Sequence, residues 1–376
     1  MSKIRILHCL ETIASGGVEQ TLLTLIKGLD KNKFEHKIIC TWHGGGAIAQ
    51  AFFIEEVEVI TVGSFKSLFE FKKLFKVVQI VREYRPHIIH GAVFEGMTMA
   101  TIGGLLGKVP IIILEETSDP QNRSGKANWL LRQYSKFADT VQAISFDVGK
   151  YLKTVTKMDP NVVWVIPNGI PKPTFFGDEV LCKTRSSLHL SPEDVVIGFV
   201  GRLFDDHKRV SDLIDAISLL NLLNVKLLIV GDGKDRKALE GRVEKLNLEK
   251  NVIFIGYQSK PDLYYQVMDV FCIPSSREGF GLVAVEAMLH KLPVIATAVG
   301  GLKEVVIDGE TGYLVPPGSP EDLAKKIINL IQYPELRVKF GAAGYARANE
   351  NYTAERYCQE IEKLYTTLLG QKGVKL

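Results

Sequence analysis

The chain has 376 residues, 46% of them hydrophobic and 24% charged, a composition typical of a globular protein long enough for two domains. A formal net charge of +3 is too small to indicate a nucleic-acid-binding protein, and five cysteines without C-x-x-C or metal-ligand spacing favour a reduced, cytoplasmic compartment. The N-terminus lacks the layout of a signal peptide, and no apolar run approaches the roughly 18 residues of a membrane span. We therefore expect a protein that does not cross a membrane.

Short apolar runs alternate with amphipathic helical patterns in the first part of the chain. The predicted strands are residues 4–10, 37–42, 57–62, 87–91, 111–115, 141–145 and 163–166. Helical patterns fill the gaps, and the first of them is formed by Val18, Leu22, Leu25, Ile26 and Leu29. Repeated β–α–β units predict a parallel sheet with helices on both faces. The proline-containing segment 168–173 then predicts a linker.

The same alternation restarts after the linker, with predicted strands at residues 195–200, 226–230, 252–256, 270–274 and 293–298. From residue 320 onward the pattern is helical, and its last stretch is long enough to pack back on the first domain. We therefore predict an α/β fold of two doubly wound, Rossmann-like domains, 1–170 and 171–352, with a C-terminal helix at 353–376 on the first. Because ligands bind outside the carboxyl ends of such strands, we expect the domains to face each other across a ligand-binding cleft.

Two adjacent glycines, Gly16 and Gly17, lie between the first predicted strand and its helix. Glycines allow backbone N–H groups to approach a ligand, and a helix N-terminus favours an anion. A tight turn without any ligand explains the pair equally well, so both interpretations stay open. The G-x-G-x-x-G spacing of dinucleotide-binding proteins is missing, which disfavours a dehydrogenase.

Two basic side chains, Arg202 and Lys208, follow the first strand of the second domain. Arginine presents a planar set of donors and lysine a compact charge, so together they suit a pyrophosphate. No two aspartates stand two positions apart, so the D-x-D motif by which many sugar transferases bind Mn²⁺ or Mg²⁺ is missing. We therefore expect no metal or other cofactor, because the two basic residues and helix N-termini would balance the negative charge.

Two glutamates, Glu278 and Glu286, frame a glycine-containing turn that begins a helix after a buried strand. The N–H groups at a helix N-terminus lack intrahelical partners and suit a phosphate. Carboxylates would repel that phosphate, so we expect the two glutamates to bind the hydroxyl groups of a sugar. Eight helical positions span at most about 12 Å, which would let the pair reach both ends of one sugar nucleotide. The alternative is one carboxylate at the positive end of the helix dipole and another on the helix face.

These residues belong to a series of motifs that extends over the whole chain and is densest between Gly198 and Pro317. The motifs are Gly16-Gly17-Val18-Glu19, Pro167-Asn168-Gly169-Ile170, Val200-Gly201-Arg202, Lys208-Arg209, Gly231-Asp232-Gly233, Glu278-Gly279-Phe280-Gly281 with Glu286, Pro293-Val294-Ile295-Ala296-Thr297, Gly300-Gly301 and Asp308-Gly309-Glu310-Thr311-Gly312-Tyr313-Leu314-Val315. Through this series the chain resembles the retaining glycosyltransferases of the GT4 group, which have the GT-B fold.

The resemblance implies a role for each matching position. Glu278, Arg202 and Lys208 would form the catalytic set, with Glu278 on the transferred sugar and the two basic residues on the diphosphate. Glu286 would bind the ribose hydroxyls of the donor. The remaining donor-binding positions would be Gly16, Gly17, Gly279, Phe280, Gly281 and Leu282. Members of the group retain the donor's α configuration without a conventional enzyme nucleophile, so phosphate and incoming hydroxyl would react on one face.

Acceptors of this group dock on the N-terminal domain, where this chain offers segments 43–46 and 115–126. Many relatives carry a histidine after the strand that matches 111–115, and Glu116 stands in its place here. We expect Glu116 either to contact the sugar or to mark a different geometry of donor and acceptor. Arg123 and Lys126 could bind an anionic or lipid-phosphate acceptor, although exposed basic residues usually belong to the ordinary surface.

The stretch 65–85 interleaves basic and apolar residues: Lys66, Lys72, Lys73, Lys76 and Arg82 with Phe65, Leu68, Phe69, Phe71, Leu74 and Phe75. A basic amphipathic helix rich in aromatic residues can lie on an anionic membrane surface. A helix that covers the sheet explains the same pattern, but the phenylalanines widen the apolar arc beyond the stripe that such a helix needs. We predict peripheral contact with the inner face of the cytoplasmic membrane.

The leading hypothesis is a metal-independent, retaining glycosyltransferase that moves a sugar from a nucleoside-diphosphate sugar to a glycan or lipid-linked acceptor. Such an enzyme would serve bacterial cell-surface polysaccharide or glycolipid biosynthesis. The alternatives are a non-catalytic nucleotide-sugar-binding partner protein of the same fold and a GT-B phosphorylase or epimerase. Arg202, Lys208, Glu278 and Glu286 are all present, which disfavours a protein that has lost catalysis.

Overall fold

The computed structural model describes residues 3–14, 16–65, 70–118 and 123–374. The chain divides into two compact units, the first formed by Met1–Pro171 with Thr353–Leu376 and the second by Lys172–Tyr352. Each unit contains one parallel sheet with helices, which confirms the predicted α/β class with two Rossmann-like domains. Among the helices of the described segments, none is both long and apolar enough to cross a membrane.

The first unit begins with β1 (Ile4–Thr12), α1 (Gly17–Gly28), β2 (Phe34–Trp42), α2 (Ala47–Ile54), β3 (Glu58–Thr61), α3 (Phe71–Tyr84), β4 (Ile88–Ala92), α4 (Val93–Gly107), β5 (Ile111–Glu116), α5 (Gly125–Ser135), β6 (Thr140–Ala143), α6 (Phe146–Thr154) and β7 (Val163–Val165). The second unit contains α7 (Asp178–Ser187), β8 (Val195–Val200), α8 (Asp205–Lys208), α9 (Val210–Leu220), β9 (Val225–Val230), α10 (Arg236–Lys245), β10 (Val252–Gly256), α11 (Asp262–Tyr265), β11 (Val270–Ile273), α12 (Leu282–Leu289), β12 (Val294–Thr297), α13 (Leu302–Val305), β13 (Gly312–Val315), α14 (Pro320–Gln332) and α15 (Pro334–Asn351). The chain then returns to the first unit as α16 (Ala354–Gln371).

The seven strands of the first sheet lie in the order β3-β2-β1-β4-β5-β6-β7, and all neighbours pair in parallel. Its central strands β1, β4 and β5 are largely buried, because helices cover both faces of such a sheet. On one face α1 packs against α16, and Leu25, Ile361 and Tyr365 join one core cluster. The Thr353 hydroxyl caps α16 by accepting a hydrogen bond from the amide of Arg356 over 3.3 Å. The last helix therefore completes the core of the unit in which the chain began.

Three histidines stand on neighbouring strands of this sheet: His8 on β1, His36 on β2 and His90 on β4. His8 Nε2 lies 3.0 Å from His36 Nδ1, and His90 Nδ1 lies 2.9 Å from the hydroxyl oxygen of Tyr365. Burial lowers the pKa of His8 well below its usual value and lowers the pKa of His36 to about 4. His8 and His36 are therefore uncharged in the folded protein at neutral pH.

We expect the first unit to lose stability as the pH falls from about 6.5 toward 4. In that window unfolded histidines, with a pKa of about 6.5, bind protons that His8 and His36 do not bind when folded. Each histidine then costs up to about 1.4 kcal/mol of unfolding free energy per pH unit. All three tryptophans of the chain (Trp42, Trp129 and Trp164) belong to the first unit, so urea unfolding followed by fluorescence reports on this unit.

His36→Gln should make that pH dependence shallower than in the wild type. His43→Gln, which changes an exposed histidine of the same unit, is the matched control and should keep the wild-type dependence. Equal slopes for wild type and His36→Gln would contradict the assignment of the effect to the buried histidines.

The second sheet has the order β10-β9-β8-β11-β12-β13, again with all neighbours parallel. The order reverses between β8 and β11, so the carboxyl ends of these two adjacent strands form the switch point at which such sheets bind ligands. Each predicted strand of the chain is present, with ends within three residues of the predicted ones. The structure adds β13, which was not predicted because it begins with a glycine and directly follows a run of turn-forming residues.

Candidate functional site

An ion pair between Lys208 and Glu278 lies at the switch point of the second sheet. Lys208 is the last residue of α8, which follows β8, and Glu278 stands in the loop that leads from β11 to α12. Lys208 Nζ is 2.5 Å from Glu278 Oε2, and the two side chains are only 22% and 17% exposed. The structure thus brings together two of the three predicted catalytic residues, which are seventy positions apart in the chain.

Backbone contacts hold the loop after β11 against α8. The amide of Ser276 donates to the carbonyl of His207 over 2.8 Å, and its hydroxyl donates to the carbonyl of Asp206 over 2.9 Å. Ser275 is buried, and its carbonyl accepts a hydrogen bond from the hydroxyl of Thr297 over 2.6 Å. These contacts connect the ends of β8, β11 and β12, so the ion pair sits on a well-supported edge of the sheet. Thr297 belongs to one of the motifs of the sequence but was assigned no role there, although a polar residue at the end of a buried strand is a signal for such a role.

The glycine-rich turn before α12 is packed against a second glycine turn at Gly301. The amide of Gly301 donates to the carbonyl of Glu278 over 3.0 Å. A Cβ atom on Gly301 would lie 2.6 Å from the Cα of Phe280 and 2.7 Å from the carbonyl oxygen of Gly279. Gly281 adopts a left-handed φ of 102° as the N-cap, so α12 begins at Leu282. The predicted phosphate-binding turn is therefore the N-terminus of a helix, and its shape depends on Gly301.

We expect Gly301→Ala to distort this turn and to destabilise the second unit by about 1–3 kcal/mol, the range for overpacked sites. The new methyl group meets backbone atoms, which cannot move aside as a flexible side chain can. The variant should unfold at a lower temperature than the wild type and should bind nucleotide less tightly. Gly241→Ala is the control, because nothing lies within 4 Å of its added Cβ in α10, and alanine there should stabilise the helix by about 1 kcal/mol. Wild-type stability in Gly301→Ala would contradict the packing argument.

Glu286 lies on α12 and is partly buried. Its Oε2 accepts a hydrogen bond from the hydroxyl of Tyr265 over 2.8 Å. Burial raises the pKa of Glu286, and the hydrogen bond from Tyr265 opposes that rise. The role of Tyr265 was not predicted, because no motif in the sequence distinguishes it from other aromatic residues.

Arg202, the third predicted catalytic residue, lies two positions after the end of β8 and is exposed. Its turn is in close contact with the turn after β9. A Cβ atom on Gly231 would lie 1.8 Å from the carbonyl oxygen of Gly201, and one on Gly233 would lie 2.3 Å from the carbonyl oxygen of Leu203. The Gly231-Asp232-Gly233 motif is therefore required for two neighbouring strand ends to approach each other.

In the first unit the predicted glycine pair stands at the N-terminus of α1. Gly16 is the N-cap residue, with extended backbone, and Gly17 is the first helical residue. The position matches the predicted strand-to-helix turn, and the donor-binding role of the two glycines stays a prediction.

Two of the three residues predicted to contact the sugar or the acceptor, Glu116 and Arg123, are bound to each other. Glu116, at the end of β5, is 1% exposed, and the guanidinium of Arg123 contacts both of its carboxylate oxygens. The hydroxyl of Ser118 also donates to Glu116 Oε1 over 2.8 Å. Lys126 is exposed in the first turn of α5, and residues 119–122 of the predicted acceptor segment lie outside the described residues. Any contact of Glu116 with a sugar would therefore compete with an existing buried ion pair.

The basic and aromatic stretch forms α3, whose buried face consists of Leu74, Val77, Val78, Ile80 and Val81. On its outer face, two phenylalanines one turn apart, Phe71 and Phe75, are 73% and 68% exposed. Lys72 and Lys76 are exposed beside them. The helix covers the sheet and also presents an aromatic and basic surface. Residues 66–69, which include Lys66, Leu68 and Phe69, lie outside the described part of the chain.

Two family models match the chain, one in each unit. The model described as Glycosyltransferase Family 4 matches residues 15–172, and the model described as Glycosyl transferases group 1 matches residues 183–347. The second match contains the ion pair, the glycine turns and α12.

Relatives and solved structures agree with these matches. The chain is 29% identical to the capsular polysaccharide biosynthesis glycosyltransferase CapM of Staphylococcus aureus, over 81% of this chain and 83% of CapM. It is 28% identical to the N-acetyl-alpha-D-glucosaminyl L-malate synthase of Bacillus anthracis, over 64% and 63%. The crystal structure of Anabaena Alr3699/HepE in complex with UDP-glucose matches 96% of this chain and 99% of that one, with a TM-score of 0.86 and 24% identity. The match to the HepE structure establishes the fold.

Proposed function

The chain belongs to the GT4-type glycosyltransferases of the GT-B fold, and we propose that it transfers a sugar, with retention of configuration, from a nucleoside-diphosphate sugar. The proposed acceptor is a glycan or a lipid-linked acceptor of cell-surface polysaccharide or glycolipid biosynthesis. The observation that carries the proposal is the Lys208–Glu278 ion pair beside the N-terminus of α12. The names of CapM, a capsular polysaccharide enzyme, and of the UDP-glucose complex of HepE support this choice of reaction.

In the proposed reaction the bound donor breaks the ion pair and contacts both of its side chains. Lys208 turns to the diphosphate and Glu278 to hydroxyl groups of the sugar, so that each charge keeps a partner. The bond between the anomeric carbon and the phosphate oxygen breaks as the acceptor oxygen attacks the same face. The acceptor's proton passes to the departing phosphate oxygen, which leaves a nucleoside diphosphate and a glycoside.

The charge on the departing diphosphate is balanced without a metal in this proposal. Lys208, Arg202 and the N–H groups at the start of α12 lie at the same edge of the sheet. Such fixed donors stabilise developing charge because they need no reorganisation during the reaction. Full turnover in the presence of EDTA is the expected result, and loss of turnover that Mg²⁺ or Mn²⁺ restores would contradict metal independence.

A panel of UDP-, GDP- and ADP-sugars tests the function. We expect at least one donor to bind in calorimetry and to be hydrolysed slowly without acceptor, with the α-anomer of the sugar appearing first in proton NMR. Absence of binding by all donors would overturn the proposal. Binding without hydrolysis or transfer would identify a non-catalytic binding protein, and a strict requirement for inorganic phosphate would identify a phosphorylase.

We also propose that the first unit receives the acceptor and touches an anionic membrane surface through α3. Phe71 and Phe75 supply exposed aromatic area, and Lys72 and Lys76 supply positive charge on the same turns of the helix. This combination is complementary to an interface of negatively charged lipids. Lys126, exposed at the start of α5, is the basic residue proposed to meet an anionic acceptor, and Arg123 could join it only by giving up its contact with Glu116.

Sedimentation with phosphatidylglycerol vesicles should show binding at low salt that weakens as salt is added. Each lysine near such a surface contributes about 1 kcal/mol, so Lys72→Gln with Lys76→Gln should reduce binding about tenfold or more. Phe71→Ser with Phe75→Ser should also reduce it. Lys150→Gln and Phe137→Ser change exposed residues elsewhere in the first unit and serve as controls. If the wild type shows no salt-sensitive binding, the membrane proposal is wrong.

A further inference from the structure

The carboxylate of Glu286 is held by a residue that no motif identifies. The hydroxyl of Tyr265 donates to Glu286 Oε2 over 2.8 Å, and the carbonyl oxygen of Val283 is 3.4 Å away from that hydroxyl. Tyr265 is 1% exposed, so its hydroxyl depends on these partners within the protein. One oxygen of Glu286 is therefore fixed in direction by a buried side chain.

A stacked histidine keeps Tyr265 in this orientation. The rings of Tyr265 and His290 lie 4.8 Å apart, with 20° between their planes. His290 Nδ1 donates to the backbone carbonyl of Glu286 over 2.8 Å, and its Nε2 lies 3.4 Å from Asp262 Oδ1. The tyrosine cannot turn its hydroxyl away from Glu286 without losing this stack.

The short helix α11, which carries Tyr265, is anchored by the segment that precedes α7. Asp262 Oδ1 accepts a hydrogen bond from the amide of Thr174 over 3.0 Å. Gln266 donates to the carbonyl of Thr174 over 2.8 Å and accepts from the amide of Phe176 over 2.9 Å. Four residues form a weak helix by themselves, so these contacts supply the rigidity that a positioning role requires.

We propose that Tyr265 is a positioning residue for the donor nucleotide, which holds one oxygen of Glu286 so that the other faces the ribose hydroxyls. This inference rests on the proposed function, in which Glu286 binds the ribose. Within the described residues, Glu286 Oε1 has no hydrogen-bond donor, which leaves that oxygen for a ligand. The carboxylate can then accept from the nucleotide without first giving up its contact with the protein.

The same hydrogen bond favours the ionised form of the carboxylate, against the effect of burial. Burial raises the pKa of Glu286, and Tyr265 opposes the rise because it donates to the charged form. Burial and the Glu286 charge raise the pKa of Tyr265 well above its usual value, so the phenol remains a donor. The titratable groups that face the carboxylate are Tyr265 and Asp262 of α11 and His290 at the end of α12.

Nucleotide binding by Tyr265→Phe tests the proposal, since phenylalanine keeps the stack and removes only the hydroxyl. UDP, GDP and ADP are each titrated into the protein, and their 2′,3′-dideoxy forms are titrated in separate experiments. For the nucleotide that binds, we expect the variant to weaken affinity about five- to tenfold, the effect of one hydrogen bond, while affinity for the dideoxy form stays at the wild-type value. Loss of the hydrogen bond should raise the pKa of Glu286, so the affinity of the variant should begin to fall at a higher pH than that of the wild type. Tyr264→Phe, one residue away, is the matched control.

A double-mutant cycle gives a second readout. In a Glu286→Gln background, Tyr265→Phe should have no further effect on the preference for ribose hydroxyls. Equal losses for the ribose and dideoxy nucleotides would show that Tyr265 acts only through the fold and would overturn the inference. A wild type that does not distinguish the two forms would also overturn it, while leaving the donor assignment intact. Failure of every nucleotide to bind the wild type would instead overturn the proposed function.

Discussion

Glu278→Gln should lower kcat roughly 100-fold or more, which is the range for losing one preorganised charged contact at a transition state. Glutamine has nearly the same shape, so it fills the space between Lys208 and Ser275 but lacks the negative charge. We expect the hydroxyl groups of the transferred sugar to lose their strongest acceptor, while affinity for the nucleoside diphosphate alone changes little. Steady-state kinetics with the donor from the panel, alongside calorimetry with the free nucleoside diphosphate, measures the two effects separately.

The fold should survive this change. The ion pair is partly solvated, so its loss should alter the free energy of unfolding by about 1 kcal/mol or less. Glu249→Gln, at an exposed position of the same unit, is the control for the loss of one negative charge and should retain wild-type turnover. Wild-type kcat in Glu278→Gln would remove Glu278 from the catalytic set.

Lys208→Met should weaken binding of the nucleoside-diphosphate sugar about 10- to 100-fold. Methionine keeps most of the aliphatic length but removes a hydrogen bond to a charged group, which contributes about 1.5–3 kcal/mol. The variant also leaves Glu278 without its partner, so that the carboxylate repels the incoming diphosphate. Calorimetry with donor and with free nucleoside diphosphate should show losses of similar size, because both ligands carry the diphosphate. Lys245→Met, at an exposed position of α10, is the matched control.

The double variant decides whether the ion pair acts as a unit. Because Glu278→Gln removes the repulsive charge, Lys208→Met with Glu278→Gln should bind the free nucleoside diphosphate more tightly than Lys208→Met alone. Turnover should stay as low as in Glu278→Gln. Purely additive losses of affinity would mean that the two side chains act independently, in conflict with their 2.5 Å contact.

The fold class could be predicted from the sequence because its evidence is local. Alternating apolar runs and helical periods identify β–α–β units, and such units form parallel sheets with covered faces. The strand β8 was predicted at its observed bounds, since six consecutive apolar or small residues precede a glycine turn. The strand β13 was not predicted. It begins with Gly312, a residue type depleted in strands, and its pairing with β12 from Gly312 to Val315 is what makes it a strand.

The site was predictable in part for the same reason. Loops that follow parallel strands meet at one edge of the sheet whatever the details of packing. Arg202 and Lys208 were selected because they lie in such a loop, and Glu278 because it begins a glycine turn at the start of a helix. The partners of these residues were not predictable. Glu116 and Arg123 were considered as separate candidates for contact with sugar or acceptor, and the structure pairs them with each other in a buried contact.

The sequence by itself determined two parallel α/β units, the glycine turns, and the charged residues at the strand ends, because periodicity and turn chemistry act over a few neighbouring positions. Only the tertiary structure decided which charges neutralise each other, that Tyr265 holds Glu286, and that Phe71 and Phe75 remain exposed on a helix whose other face is core. Those outcomes depend on contacts between residues far apart in the chain. Burial and hydrogen-bond geometry at such contacts are properties of the packed molecule, and no local pattern encodes them.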